Sequence, residues 1–185
     1  FAFLPGIAWE RQQAEKWILV PILQAGGAWD LQSDVEAWMV SASLRSFAWW
    51  DIGKHRLGLG NRLLGAGQFA GSTSNKTGFI LLENGLDWNY SLPWRWRGEN
   101  LSTSVFVLWQ HYADNVNINV VSGEDVGLEN VYKLGFTFGF RRSAKPLLKL
   151  IPIRRIGIAF GRGNTLSGSD FKSITFNIGF PLSYD

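Results

Sequence analysis

The chain has no cysteine, few charges and only two histidines, and each scarcity closes off chemistry. Without cysteine there is no disulfide framework, thiolate metal site or cysteine nucleophile. With only His55 and His111, no histidine-rich metal centre can form, and a histidine base has just two candidates. We therefore expect no metal and no cofactor. Charged residues make up 18% of the chain, below the roughly 25% usual in soluble domains, and the net charge of +3 is spread out rather than gathered into a stripe. The basic, aromatic-interleaved surface of a nucleic-acid binder is missing. Long apolar runs are missing too: charge-free stretches such as 17–29 and 100–113 fall short of the ~18 residues a membrane helix needs. The chain opens at Phe1 without a basic, then apolar, leader, as expected of an exported protein whose signal peptide has been removed.

What the chain does have is 10 Trp, 13 Phe and 21 Gly in 185 residues, and a period of two. Tyr132, Leu134, Phe136, Phe138 and Phe140 alternate with Lys133, Gly135, Thr137, Gly139 and Arg141. Such alternation marks a strand. It recurs at Ile156, Ile158 and Phe160, at Ile174, Phe176, Ile178, Phe180 and Leu182, at Trp38 through Trp50, and at Ile80 through Leu92. Further strands are expected over 17–29, 57–69 and 101–112, with a short extended segment at 1–9. Turn-rich pieces dense in Gly, Ser, Asn, Asp and Pro separate them, for example 51–54, 70–76, 93–100, 113–127 and 143–149. No linker divides the chain, so residues 1–185 are read as one domain.

Alternation alone does not say which face is wet. The polar partners decide: in the best strands they are mainly Gly, Thr, Ser, Asn and Ala, which suit a crowded lumen better than a solvated surface. Several alternations run about ten residues, the length a tilted strand needs to cross a bilayer. The aromatics Trp17, Trp29, Trp38, Trp49, Trp50, Trp88, Tyr90, Trp94, Trp96, Trp109, Tyr112 and Tyr132 gather near strand ends, as in the interfacial girdles of membrane barrels. The expected fold is an all-β, antiparallel up-and-down transmembrane β-barrel of eight strands. Ten strands would follow if the long segment around Glu83-Asn84-Gly85 were split, since Asn-Gly is a hairpin signal. On the eight-strand count residues 1–15 are left over, as a periplasmic or interfacial segment, a piece tucked into the lumen, or a domain-boundary remnant. A soluble lipocalin-like barrel with a ligand cavity is the competing architecture.

The last strand, Phe171-Lys-Ser-Ile-Thr-Phe-Asn-Ile-Gly-Phe180, resembles the final strand of the bacterial outer-membrane β-barrel superfamily. In that superfamily the final strand alternates apolar residues, ends on an aromatic and is read by the assembly machinery. Here Pro181, Leu182, Ser183, Tyr184 and Asp185 follow that aromatic. The stretch from Arg154 to Leu182 is also similar to solitary autotransporter-type barrel domains. The resemblance implies an outer-membrane address, with membrane lipids and the barrel assembly machinery as partners. A C-terminus in the periplasm then puts 51–54 in a short periplasmic turn and 113–127 in the longest external loop, where 115–121 would either offer a strand to a surface partner or form a mobile loop that binds nothing.

An eight-stranded barrel is filled by its own side chains. Arg45, Glu83, Asp87, Lys133, Arg141 and Arg155 are the expected lumen-lining charges, either paired as filling or bordering a narrow solute path. Trp17, Trp29, Trp38, Trp50, Trp88, Tyr90, Trp109 and Tyr132 are the expected interfacial aromatics. His111-Tyr112-Ala113, with Glu129 downstream, is similar to the His-x-Ser element of outer-membrane lipid A deacylases, but alanine stands where the nucleophile is required. Gly58, Gly60, Gly65 and Gly67 follow strand parity, and no P-loop lysine follows them. A non-catalytic structural or interaction role ranks first, ahead of a narrow channel and a lipid-modifying enzyme.

Overall fold

A computed structural model of the chain describes residues 2–29, 36–70, 76–96, 98–113, 117–119, 125–140 and 155–178. These residues form strands and turns only. The strands in chain order are β1 (Ala2–Phe3), β2 (Gly6–Ala8), β3 (Arg11–Ala14), β4 (Trp17–Trp29), β5 (Glu36–Ile52), β6 (His55–Ala70), β7 (Lys76–Trp96), β8 (Glu99–Ala113), β9 (Asn117–Asn119), β10 (Asp125–Phe140), β11 (Arg155–Thr165) and β12 (Asp170–Ile178). Among the described residues every pairing is antiparallel, and neighbours in sequence are neighbours in the sheet apart from β1 and β2, which like β3 pair with β4, and the small strand β9, which pairs with the start of β10. Among the described residues no helix is long and apolar enough to cross a membrane, which leaves crossing by strands untouched.

The eight long strands coincide with the eight expected. Among the described residues the fold nevertheless holds ten when β1, β2 and β3 are taken as one interrupted strand, and the extra two correct the expectation. The first is the N-terminal segment: β1, β2 and β3 are pieces of one interrupted strand laid against β4, with Ala2 opposite Ala28 and Arg11 opposite Leu19. Strand pieces between residues 2 and 14 are therefore part of the sheet rather than left over. Pro5, which has no N–H to donate, lies in the gap between β1 and β2, Trp9 and Glu10 fill the gap between β2 and β3, and a register irregularity between Gln12 and Ala14 falls within β3. The second is β9. The expected split at Glu83-Asn84-Gly85 does not occur, because β7 runs unbroken through it with Asn84 paired to Asn61 on one side and Trp109 on the other. Pairing on both flanks outweighs the local turn preference of Asn-Gly.

The β5–β6 hairpin closes on Gly53-Lys54, and Gly53 takes φ 60. A two-residue hairpin turn needs that positive φ, which glycine supplies without strain. Following the strand directions, this turn and the 114–124 connection lie at opposite ends of the sheet, as expected. The β10–β11 connection, 141–154, starts and ends on the same side as the short turns and lies outside the described residues.

The two faces differ sharply. One carries large apolar side chains in the open: Leu23 on β4, Trp38, Val40 and Leu44 on β5, Leu63 on β6, Ile80 and Leu86 on β7, Val105 and Val107 on β8, Leu134 and Phe136 on β10, Ile156 and Phe160 on β11, and Ile174 and Phe176 on β12. Leu86, Val107, Leu134, Phe160 and Ile174 fall in direct register across five strands and line a shallow groove. The other face is the buried one, and it mixes polar groups with apolar packing: Asp87, Asn89, Ser102, Ser104, Gln110, Thr137 and Arg155 are nearly inaccessible, and so are Val20, Trp49, Leu64, Leu81, Phe106, Val131 and Ala159. No helix or second sheet among the described residues covers it. Among the described residues no pairing joins β12 to the N-terminal strands or to β4.

Candidate functional site

Arg155 opens β11 and is fully buried, at 0% exposure. It stands opposite Gly139 of β10, and its guanidinium reaches over β10 to β8. Nη1 donates to Ser102 Oγ at 2.6 Å and to the Phe140 carbonyl at 3.1 Å. Nε and Nη2 donate to Thr137 Oγ1 at 3.1 and 3.0 Å. The knot extends sideways: Thr137 Oγ1 lies 2.7 Å from Ser104 Oγ, and Asn89 Nδ2 donates to Ser102 Oγ at 3.4 Å. Asp87, 7% exposed, hydrogen-bonds with Ser104 and feels the positive charge of Arg155, while its Oδ1 has no hydrogen-bond partner. A buried guanidinium is tolerated only when its donors are met and a counter-charge is near. Both conditions hold.

Small residues make room for this network. A Cβ added at Gly135 would collide with the Phe106 ring and crowd Ala159, and one at Gly157 would strike Thr137 and the Phe136 carbonyl. The polar face is thus packed as well as polar.

Farther along the same face, Arg45 and Arg62 are direct partners across β5 and β6. Glu83 pairs with Arg62 on one side and Gln110 on the other, and Gln110 Nε2 donates to Glu83 Oε2 at 2.6 Å. Lys133 is half-buried opposite Gly161 and Leu108. Arg45, Glu83, Asp87, Lys133 and Arg155 therefore share one face, and only Asp87 and Arg155 are brought into one cluster. Arg141 lies outside the described residues. Arg62, Ser102, Ser104 and Thr137 were not singled out by the sequence reading. For Arg62 the missed signal is its parity, shared with Gly58 and Gly60 on β6.

Trp17, Trp38, Trp50, Trp88 and Tyr132 are exposed on the apolar face. Tyr90 and Trp109 are half-buried there; Trp109 Nε1 donates to Asn130 Oδ1 at 3.2 Å, and Tyr90 packs on the His55 ring. The Trp29 side chain lies outside the described residues. Trp49 and Tyr112 belong to the opposite, polar face: Trp49 stacks on Phe47, whose ring covers Gly58 beside Asp87, and Tyr112 packs on Phe79. Tandem tryptophans point to opposite sides of a strand, so Trp49 and Trp50 cannot share a girdle.

His111 does not assemble a hydrolytic centre. Its Nδ1 lies 3.1 Å from Asn130 Oδ1 and its ring stacks on Trp109, while Glu129 accepts from Asn164 Nδ2 at 2.7 Å instead. Among the described residues no three of His, Cys, Asp and Glu gather as metal ligands. No protein-family model matches the chain, and neither a curated protein nor a solved structure matches it.

Proposed function

We propose that this chain is an integral protein of a bacterial outer membrane, an up-and-down barrel whose apolar face meets lipid, with a structural or surface-interacting role and no catalysis. The observation that carries this reading is a belt of exposed Leu, Val, Ile and Phe over all eight long strands, against a buried face where Ser, Thr, Asn, Asp and Arg lie among apolar side chains such as Leu64, Leu81 and Phe106. Each large apolar side chain left in water forfeits about 1.5–3 kcal/mol, and exposed patches of this kind mark a membrane or partner surface. A soluble lipocalin-like barrel would turn the same residues inward. Strands of 9 to 21 residues also suit the 9–11 or so that a tilted strand needs to cross a bilayer. The packed Arg155 network supports a filled interior over an open passage. Outer-membrane lipids are then the first partner, and the barrel assembly machinery, reading the C-terminal strand, the second.

The test is gel migration of the refolded chain with and without detergent. A band that forms only in detergent or lipid, and shifts apparent mass on heating, is the expected result. A soluble monomer in plain buffer would refute the membrane reading.

A further inference from the structure

The groove on the apolar face ends in charge. Trp109, Tyr132, Arg162 and Lys172 border it and form one cross-strand row, since Tyr132 stands opposite Trp109 and Arg162, and Arg162 opposite Lys172. This row lies two residues beyond the apolar one that runs from Leu86 to Ile174, toward the end of the sheet that holds the 114–124 connection. Tyr132, Arg162 and Lys172 are exposed. Farther toward that end the face turns acidic. Asp170 accepts from Arg162 Nη2 at 2.6 Å, and Glu129 accepts from Asn164 Nδ2 at 2.7 Å. The surface therefore runs apolar, then basic and aromatic, then acidic. The side chains of the Arg162–Asp170 pair are 71% and 59% exposed. An ion pair so open to water contributes little by itself, so both groups can exchange partners at small cost.

We propose that this groove holds one zwitterionic phospholipid with a phosphoethanolamine headgroup, its acyl chains along the apolar row, its phosphate on Arg162 and Lys172, and its ammonium on Asp170. The inference rests on the membrane reading and deepens it by naming the lipid that this face selects. The order of the rows matches the order of groups in such a lipid from hydrocarbon to water. Guanidinium and ammonium donors make charge-assisted hydrogen bonds to phosphate oxygens, and Trp and Tyr suit the headgroup level. Because Arg162 and Asp170 touch, one headgroup reaches both: the phosphate replaces Asp170 on Arg162, and the ammonium replaces Arg162 on Asp170. An anionic lipid without an amine meets Asp170 and Glu129 as like charges. A choline headgroup carries the positive charge but lacks the N–H donors that a primary ammonium offers a carboxylate.

Native mass spectrometry of the full chain folded in detergent, with chain-matched phosphatidylethanolamine, phosphatidylglycerol and phosphatidylcholine added in equal amounts, tests it. One retained phosphatidylethanolamine is expected, held about tenfold more tightly than the other two. The Arg162→Gln/Lys172→Gln double variant should weaken that retention about tenfold, and Asp170→Asn should abolish the preference over phosphatidylglycerol. A heat-shifted band checks that each variant is folded, and the wild-type comparison decides even where one is not. A folded wild type that retains the three lipids equally, or retains none, overturns the proposal and leaves the membrane reading standing; an Asp170→Asn chain with its preference intact does the same. A chain that is a soluble monomer without detergent removes the membrane reading and this inference with it.

Discussion

Replacing Arg155 with methionine is the most informative single change. The side chain keeps its length and loses its charge and all five of its N–H donors. It removes the donors that Arg155 supplies to Ser102 Oγ, Thr137 Oγ1 and the Phe140 carbonyl and the positive charge that Asp87 feels. Hydrogen bonds from a charged group contribute about 1.5–3 kcal/mol each, so losing at least two costs about 3–5 kcal/mol. With a urea slope of about 2 kcal/mol per molar, the unfolding midpoint falls by roughly 2 M. Tryptophan fluorescence of the refolded chain in detergent reads that midpoint. Asp87→Asn in the Arg155→Met background should recover part of the loss, giving a coupling of about 1–3 kcal/mol in a double-mutant cycle. A loss below about 1 kcal/mol, or additive behaviour with Asp87, would refute the network as the interior's organising contact.

Three further outcomes follow from packing and exposure. Gly135→Val drives methyl groups into Phe106 and Ala159 and should cost at least about 1–3 kcal/mol, measured by the same unfolding curve. Leu134→Arg places a charge mid-row on the exposed apolar face and should cost about 2–4 kcal/mol in bilayers, whereas on a water-facing surface it would change stability by less than about 0.5 kcal/mol. Gly53→Ala forces a side chain into the positive φ of the β5–β6 turn and should cost about 1–2 kcal/mol, visible as a lower midpoint with unchanged slope.

The long strands were legible because several keep one parity for about ten residues, and the hydrophobic period survives even where a turn signal such as Asn84-Gly85 interrupts it. The N-terminal strand was legible only as a short extended segment over 1–9, since its pieces of two, three and four residues are too short to display a period. Asp87 and Arg155 stood out as charges on a strand's polar side. Their partners did not: Ser102 is 53 positions from Arg155, and only cross-strand register brings them together. The same holds for Arg45 and Arg62, whose confrontation follows from the tight turn at Gly53-Lys54 fixing the β5–β6 register. The Trp49–Trp50 pair misled because composition marks both as girdle residues while strand geometry must send one inward.

The central claim is that the exposed face meets hydrocarbon and the buried face does not. The absence of native cysteine allows single cysteines at Val40, Ser41, Ala42 and Ser43, alternately exposed and half-buried along β5, to carry nitroxide labels in the bilayer-reconstituted chain. Relaxation by oxygen, which partitions into lipid, should be strong at 40 and 42 and weak at 41 and 43. Equal accessibility of the four positions to a water-soluble nickel reagent, or oxygen contact at 41 and 43 instead, would contradict the assignment of the faces.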